Sequence, residues 1–462
     1  MYRKPTAPSL HHLQTRFAAR RRQCALAALL WLLAACAGPA PKIGEIGVVE
    51  GFLGAAIGEE PRAALVARDA LSAGGTAADA ATAAYFAMTV TYPVAVGLGG
   101  GGVCLYYDHR ANKTETLDFR AAAADGAMAV PGALRGMALL HSRYGRLPWA
   151  QLVAPAETMA RFGHQISRAL ARRLAPQAAR LRADATAAKI FLHADGTPLD
   201  EAETIVQVEL ASALTRVRTR GVSDIYGGEA GRQMLRAGAS HGGKITIAAL
   251  RKYRAVWRGT AQTKIGNHVL HHPVLGNGKN TAQQLTAILA KKSAAAAARE
   301  IFAGADLARK TDRGEAALVV GDSFGSSAAC VFEMNGAFGS ARMVPELGIF
   351  LSPNPGPARN ARGGRGYPLP LLGVNDPLNQ TVLAAAGAGG PQGALAAAAL
   401  SLRVMAGDVA LVQAMTEPVS GTNTDLGRVQ ALWCPKGIRI RPESCQFATD
   451  PKAFGLAVFD KF

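Results

Sequence analysis

Glu315-Ala-Ala-Leu-Val-Val-Gly-Asp-Ser-Phe-Gly325, followed at once by Ser326-Ser-Ala-Ala-Cys-Val-Phe332, is the stretch on which the fold turns. Ala316–Val320 and Ser326–Phe332 are short apolar runs. They flank the turn residues Gly321 to Gly325, and the whole reads as a β-hairpin. A second hairpin lies upstream, with Val103–Tyr107 and Thr114–Arg120 joined by a turn around Asn112. The glycine run Gly97-Leu-Gly-Gly-Gly-Gly102 precedes it. That run leads into a strand and lacks a Walker lysine, so close backbone packing explains it better than phosphate binding. Arg428-Val-Gln-Ala-Leu-Trp433 begins a terminal hairpin, and His268–His271 is strand-like.

Between the strands the periodicity is helical. Pro61 to Ala73 carries Ala, Leu and Val on one face and stops at Gly74-Gly75. Thr76 to Val90 is nearly all small residues, little about it is very polar beyond Asp79, and it must therefore be buried; Pro93 ends it. Pro131 to about Thr260 is mainly helical, with loops at Gly145, Gly163 and Gly221. Leu395 to Met405 is an Ala-rich helix. Pro355 to Tyr367 is a loop bearing Arg359, Arg362 and Arg365. No internal repeat is present, and Ala-rich helices over sheets fit the composition better than a β-sandwich.

The first 22 residues hold Arg3, Lys4, Arg16, Arg20, Arg21 and Arg22 and no acid. The apolar run from Cys24 to Cys36 follows, about a dozen residues and too short to span a bilayer core of roughly 30 Å. This is the pattern of an export signal. Its end, Leu33-Ala-Ala-Cys36, resembles the lipobox cut by lipoprotein signal peptidase, which implies an acylated Cys36. Multiple acyl chains anchor stably where one does not. The expected location is the cell envelope, lipid-anchored and facing the periplasm; Ala37 after the cysteine favours the outer membrane. Plain secretion is the alternative. Residues 1–35 are then a signal peptide and 36–45 a lipidated tether.

The net charge is +18, and taking away the six presequence charges leaves +12 on the mature chain. For an exported protein nucleic acid is excluded as a partner, and anionic lipid or envelope polymer is favoured, with a merely solvated basic surface as the alternative. Of six cysteines, Cys104 and Cys330 lie in apolar strand-like runs and are expected to be buried free thiols. Cys434 and Cys445 bracket a short segment, and a disulfide between them is expected outside the cytoplasm. No HExxH or paired CxxC pattern occurs, so neither a metal nor another cofactor is expected; His271-His272 read as loop or strand residues.

Gly74-Gly-Thr-Ala-Ala-Asp-Ala-Ala81, Gly97-Leu-Gly-Gly-Gly-Gly102, Leu117-Asp-Phe-Arg120, Pro131-Gly132 and Tyr144-Gly-Arg-Leu-Pro-Trp149 occur in the order and spacing of one family. With Tyr226-Gly-Gly228, Gly348-Ile349, Gly389-Gly390 and Asp450-Pro451, the set resembles the gamma-glutamyltransferases over almost all of the mature chain. The resemblance implies an α+β, four-layer αββα N-terminal-nucleophile hydrolase fold. It also implies a large-subunit-like part, residues 46–314, and a small-subunit-like part, residues 315–462, of the same domain. Members cut their own chain before a threonine whose freed amine activates its hydroxyl, and then hydrolyse or transfer γ-glutamyl groups of glutathione. A glycine N–H pair forms their oxyanion hole.

The departures decide the expected function. The Asp322–Gly325 turn and Asn335 fix the frame, which puts the family's threonine at Glu315 and the next two positions at Ala316 and Ala317. Glutamate has no hydroxyl to attack the Gly314 carbonyl, so neither self-cleavage nor a catalytic amine follows. The acid for the substrate ammonium falls near Pro357, in the arginine-bearing loop, and the paired serines fall on Pro370-Leu371. Arg120, suited to a carboxylate, survives together with Asn335 and Gly389-Gly390, and Asn354 replaces a family glutamine. The resemblance thus implies an uncut, catalytically degenerate relative that binds a γ-glutamyl or other small carboxylate. A purely structural inheritance of these residues is the competing account. The alternative activity is an enzyme that uses Thr311 as a displaced nucleophile.

Overall fold

The computed structural model describes residues 53–274, 312–356, 369–407, 409–416 and 427–459. Cys36, Thr311, Pro357 and the three arginines of the 355–367 loop lie outside them. The first sheet contains seven strands: β1 (Gly54–Gly58), β2 (Gly101–Asp108), β3 (Lys113–Asp118), β4 (Val256–Arg258), β7 (Glu315–Asp322), β8 (Ser327–Glu333) and β13 (Leu456–Phe459). The second contains β5 (Thr260–Ile265), β6 (His268–Pro273), β9 (Leu369–Asn375), β10 (Gln380–Ala388), β11 (Arg428–Trp433) and β12 (Gln446–Thr449). Their orders are β13-β1-β7-β8-β2-β3-β4 and β12-β11-β10-β9-β6-β5, with every pairing antiparallel. Strands from before and after residue 315 occur in both sheets and are interleaved in the first, so the segments on either side of it build one folding unit.

Helix α1 (Pro61–Ser72) starts as its sequence suggests: Pro61 takes a first-turn position and the Glu60 carboxylate accepts from Ala63 N at 2.8 Å. Helix α2 (Ala77–Thr91) is capped by Thr76 and Asp79 in a reciprocal capping box, and all fifteen residues are buried. Both helices cover the outer face of the first sheet, and α3 (Pro391–Met405) covers the second. Along β7, Ala316, Leu318 and Val320 join the helix-facing core, while Ala317 and Val319 join the core between the sheets. This period-2 alternation turns Glu315 towards the second sheet.

The glycine run works by close approach. A Cβ at Gly99 would lie 2.2 Å from the Phe350 carbonyl oxygen, and one at Gly101 2.2 Å from Ala121 N. The expectation of free thiols at Cys104 and Cys330 is corrected. The two residues stand directly opposite each other in β2 and β8, 4.1 Å apart at Cα, and form a disulfide. Two apolar strands gave no hint that they were neighbours in register, since 226 residues separate the cysteines. Cys434 and Cys445 form a second disulfide beyond β11.

Candidate functional site

The first residue of β7 meets the turn that follows β10. Gly389 and Gly390, with φ of 105° and 68°, turn the chain into α3, and Gly390 is its N-cap. Both N–H groups are aimed back at the first sheet. They donate to one Glu315 oxygen, Oε2, at 3.0 Å from Gly389 and 2.6 Å from Gly390. A carboxylate on two convergent N–H groups at a helix N-terminus is a favourable seat for negative charge. Arg313 adds a guanidinium 3.8 Å from Oε1. The Glu315 side chain is 2% exposed. A donor pair suited to an oxyanion therefore already holds an anion, supplied by the chain itself.

The backbone at this point is held as firmly. Arg173 and Arg428 each donate to the Glu315 carbonyl, both at 3.1 Å. Arg428 comes from β11 and also donates to buried Glu59 at 2.8 Å. Glu59 in turn accepts from Ala317 N at 3.0 Å and from the Tyr92 hydroxyl at 3.2 Å. Arg173 grips both oxygens of Asp312, at 2.7 and 2.6 Å. Burial alone would raise the Asp312 carboxyl, but the Arg173 guanidinium overrides it and holds the pKa at about 2. Burial pushes the Tyr92 hydroxyl up to about 12. Two guanidiniums and two carboxylates thus fix the first residue of β7 from both sheets. None of these four was anticipated from sequence. Glu59-Glu60 beside a buried strand was the available signal, because buried acids require partners.

The remaining expected site residues are engaged in the fold. Arg120 pairs with Asp118 through two hydrogen bonds, 3.0 and 2.9 Å, and the pair is largely buried. Asn335 has φ of 61° and donates to the Pro353 carbonyl at 3.2 Å. Asn354 donates to the carbonyls of Ala124 and Gly126, and its side-chain oxygen accepts from Gly356 N at 3.0 Å. Pro370 and Leu371 lie within β9, where they supply no hydroxyl. Asn335 lines an open cleft of about 910 Å³, with Gln177, Arg180, Asp312 and Arg342 among its other walls. Glu315, Gly389, Gly390 and Arg120 do not line that cleft.

Two facing sheets between helices, with a strand-initiating residue opposite a glycine N–H pair, define the N-terminal-nucleophile hydrolase fold. A solved cephalosporin acylase from Bacillus halodurans superposes with a TM-score of 0.73 at 19% identity, over 92% of this chain and 98% of that one. The gamma-glutamyltranspeptidase family model matches residues 63–127 and 124–292. The chain belongs to that family. The glutathione hydrolase proenzyme of Escherichia coli is 32% identical over 270 residues, 51% of this chain and 46% of that protein. The acylase ACY 1 proenzyme of Pseudomonas sp. strain V22 is 31% identical over 233 residues, 44% of this chain and 41% of that one. The chain thus spans about half the length or less of these relatives. The family match also ends before Glu315, so the residues of the hairpin stand on their geometry alone.

Proposed function

We propose that this protein is an exported, lipid-anchored family member that remains one chain, does not turn over substrate, and binds a γ-glutamyl compound or another small carboxylate at the cell envelope. The observation that carries the loss of catalysis is the Glu315 carboxylate seated on the Gly389 and Gly390 N–H groups. Self-cleavage needs a hydroxyl at that residue, and acyl transfer needs those donors for the oxyanion. Here the first is missing and the second are occupied. The sequence supports export and anchoring through the basic start, the short apolar run and Cys36. Binding is supported by family membership and by the cleft beside Asn335. For Arg120 to receive a ligand, the ligand's carboxylate must displace Asp118.

The test is the intact mass of the purified mature chain after prolonged incubation, with turnover of a γ-glutamyl anilide and binding of glutathione measured beside it. One uncut species, no anilide turnover and saturable glutathione binding are the expected results. Two fragments, the smaller beginning at Thr311, together with turnover lost in Thr311→Ala, would establish the displaced-nucleophile enzyme instead. An uncut chain that binds no γ-glutamyl compound or carboxylate would refute the ligand.

A further inference from the structure

The opposite end of the β7–β8 hairpin carries a second cleft. Glu315 and Asp322 terminate one eight-residue strand and so stand roughly 23 Å apart at the strand rise per residue. Around the turn lies a cleft of about 490 Å³, within the range of small-ligand pockets. Arg110, Lys113, Arg143 and Arg146 line it, and the polar side chains of Thr76, Tyr106 and Ser326 face it as well.

Ring contacts hold two of these cations in place. Arg143 lies over the rings of Tyr144 and Trp257, at 5.1 and 5.0 Å, and Arg146 lies 4.3 Å from the Phe324 ring centre. Tyr144 is itself stacked on Tyr106 at 4.2 Å. Such stacking holds a guanidinium in place before a ligand arrives, which lowers the entropy lost on binding. Asp108 and Asp322 also line the cleft and Glu115 lies behind it, so two of the four cations are already paired and Arg110 and Arg146 carry the uncompensated charge. Glu115 pairs with Lys113 and Arg143 at 2.9 and 2.6 Å. Asp108 accepts from Arg110 N at 3.0 Å. Asp322 is buried and accepts from Ala77 N at 2.8 Å and Ser326 N at 2.9 Å. Among the described residues, Arg110 and Arg146 form no ion pair with a carboxylate, and both are exposed.

We infer that this cleft is a binding site for a phosphate-bearing polyanion, either a soluble phosphate ester or a lipid headgroup. Four cations from two segments, the β2–β3 hairpin and the end of the helix Ala133–Tyr144 with the loop after it, two of them backed by aromatic rings, match several oxygens of a polyanion better than one carboxylate. The inference does not depend on the state of Glu315. The test uses the full chain with inorganic pyrophosphate followed by calorimetry, and with vesicles containing or lacking phosphatidylglycerol. Wild type should bind pyrophosphate or show extra binding to the anionic vesicles. The double variant Arg110→Gln/Arg146→Gln should weaken that binding by about tenfold or more. Arg232→Gln, a distant exposed change, should leave it intact. Pyrophosphate binding assigns a soluble ligand, and an anionic-vesicle increment alone assigns a headgroup. No binding of either kind, or equal binding by the folded double variant, overturns the site.

Discussion

Arg428→Met will destabilise the fold by about 3–5 kcal/mol, read as a lower denaturant midpoint at an unchanged slope. Arg428 is 7% exposed and Glu59 is fully buried, and the guanidinium joins β11 of one sheet to the end of β1 in the other. Methionine fills much of the volume but leaves Glu59 with its nearest guanidinium gone; Arg173 is 3.7 Å from it. Removing one member of a buried ion pair costs far more than the pair is worth, because the survivor keeps its desolvation penalty. The double variant Glu59→Gln/Arg428→Met should therefore recover part of the loss. A single-variant loss under about 1 kcal/mol would show that the cluster is well hydrated and does not bind the sheets together. The same cluster sets the acid limit. Asp312 has a folded pKa of about 2, below its unfolded value of about 3.9. Its stabilisation is complete above the unfolded value and disappears as pH falls through about 2. Asp312→Asn should flatten that part of an acid-unfolding curve; an unchanged curve would remove Asp312 from the account.

Glu315→Ala should lower the melting temperature, and added formate or acetate should raise it again far more than in wild type. The substitution deletes the acceptor of two N–H groups, Gly390's buried and Gly389's partly so, each worth up to about 1–3 kcal/mol when unsatisfied, less whatever water recovers. It also opens an anion-sized space at the start of α3, with Arg313 beside it. A small carboxylate that binds only the folded state stabilises it by mass action. Glu315→Gln should lose less, because its amide oxygen still accepts. Equal salt responses in Glu315→Ala and wild type would mean that the glycine pair is an ordinary helix entry with no affinity for anions. A larger formate response in the variant would identify Glu315 as a built-in occupant of the seat.

The boundaries of the first two helices and of the β7–β8 hairpin were legible because local rules operate at each, whereas β1, β9, β10 and β13 were not read from the sequence. Thr76 and Asp79 cap α2, Pro61 opens α1, and the Gly321–Gly325 turn fixes the β7–β8 register. That residue 315 carries no hydroxyl was legible too, because it is a matter of side-chain identity alone. Other features depended on which distant segments the fold brings together. Cys104 faces Cys330 only because β2 and β8 pair in that register. Arg120 turns to Asp118, two residues away, a choice that sequence left open between a ligand and the fold. Glu315 finds its seat only because β7 begins where β10 ends in the facing sheet. Chemistry that resides in one residue can be read from the chain, whereas chemistry that needs two sheets to meet is set by their packing, since charges and N–H groups gain partners only once water has been excluded between them.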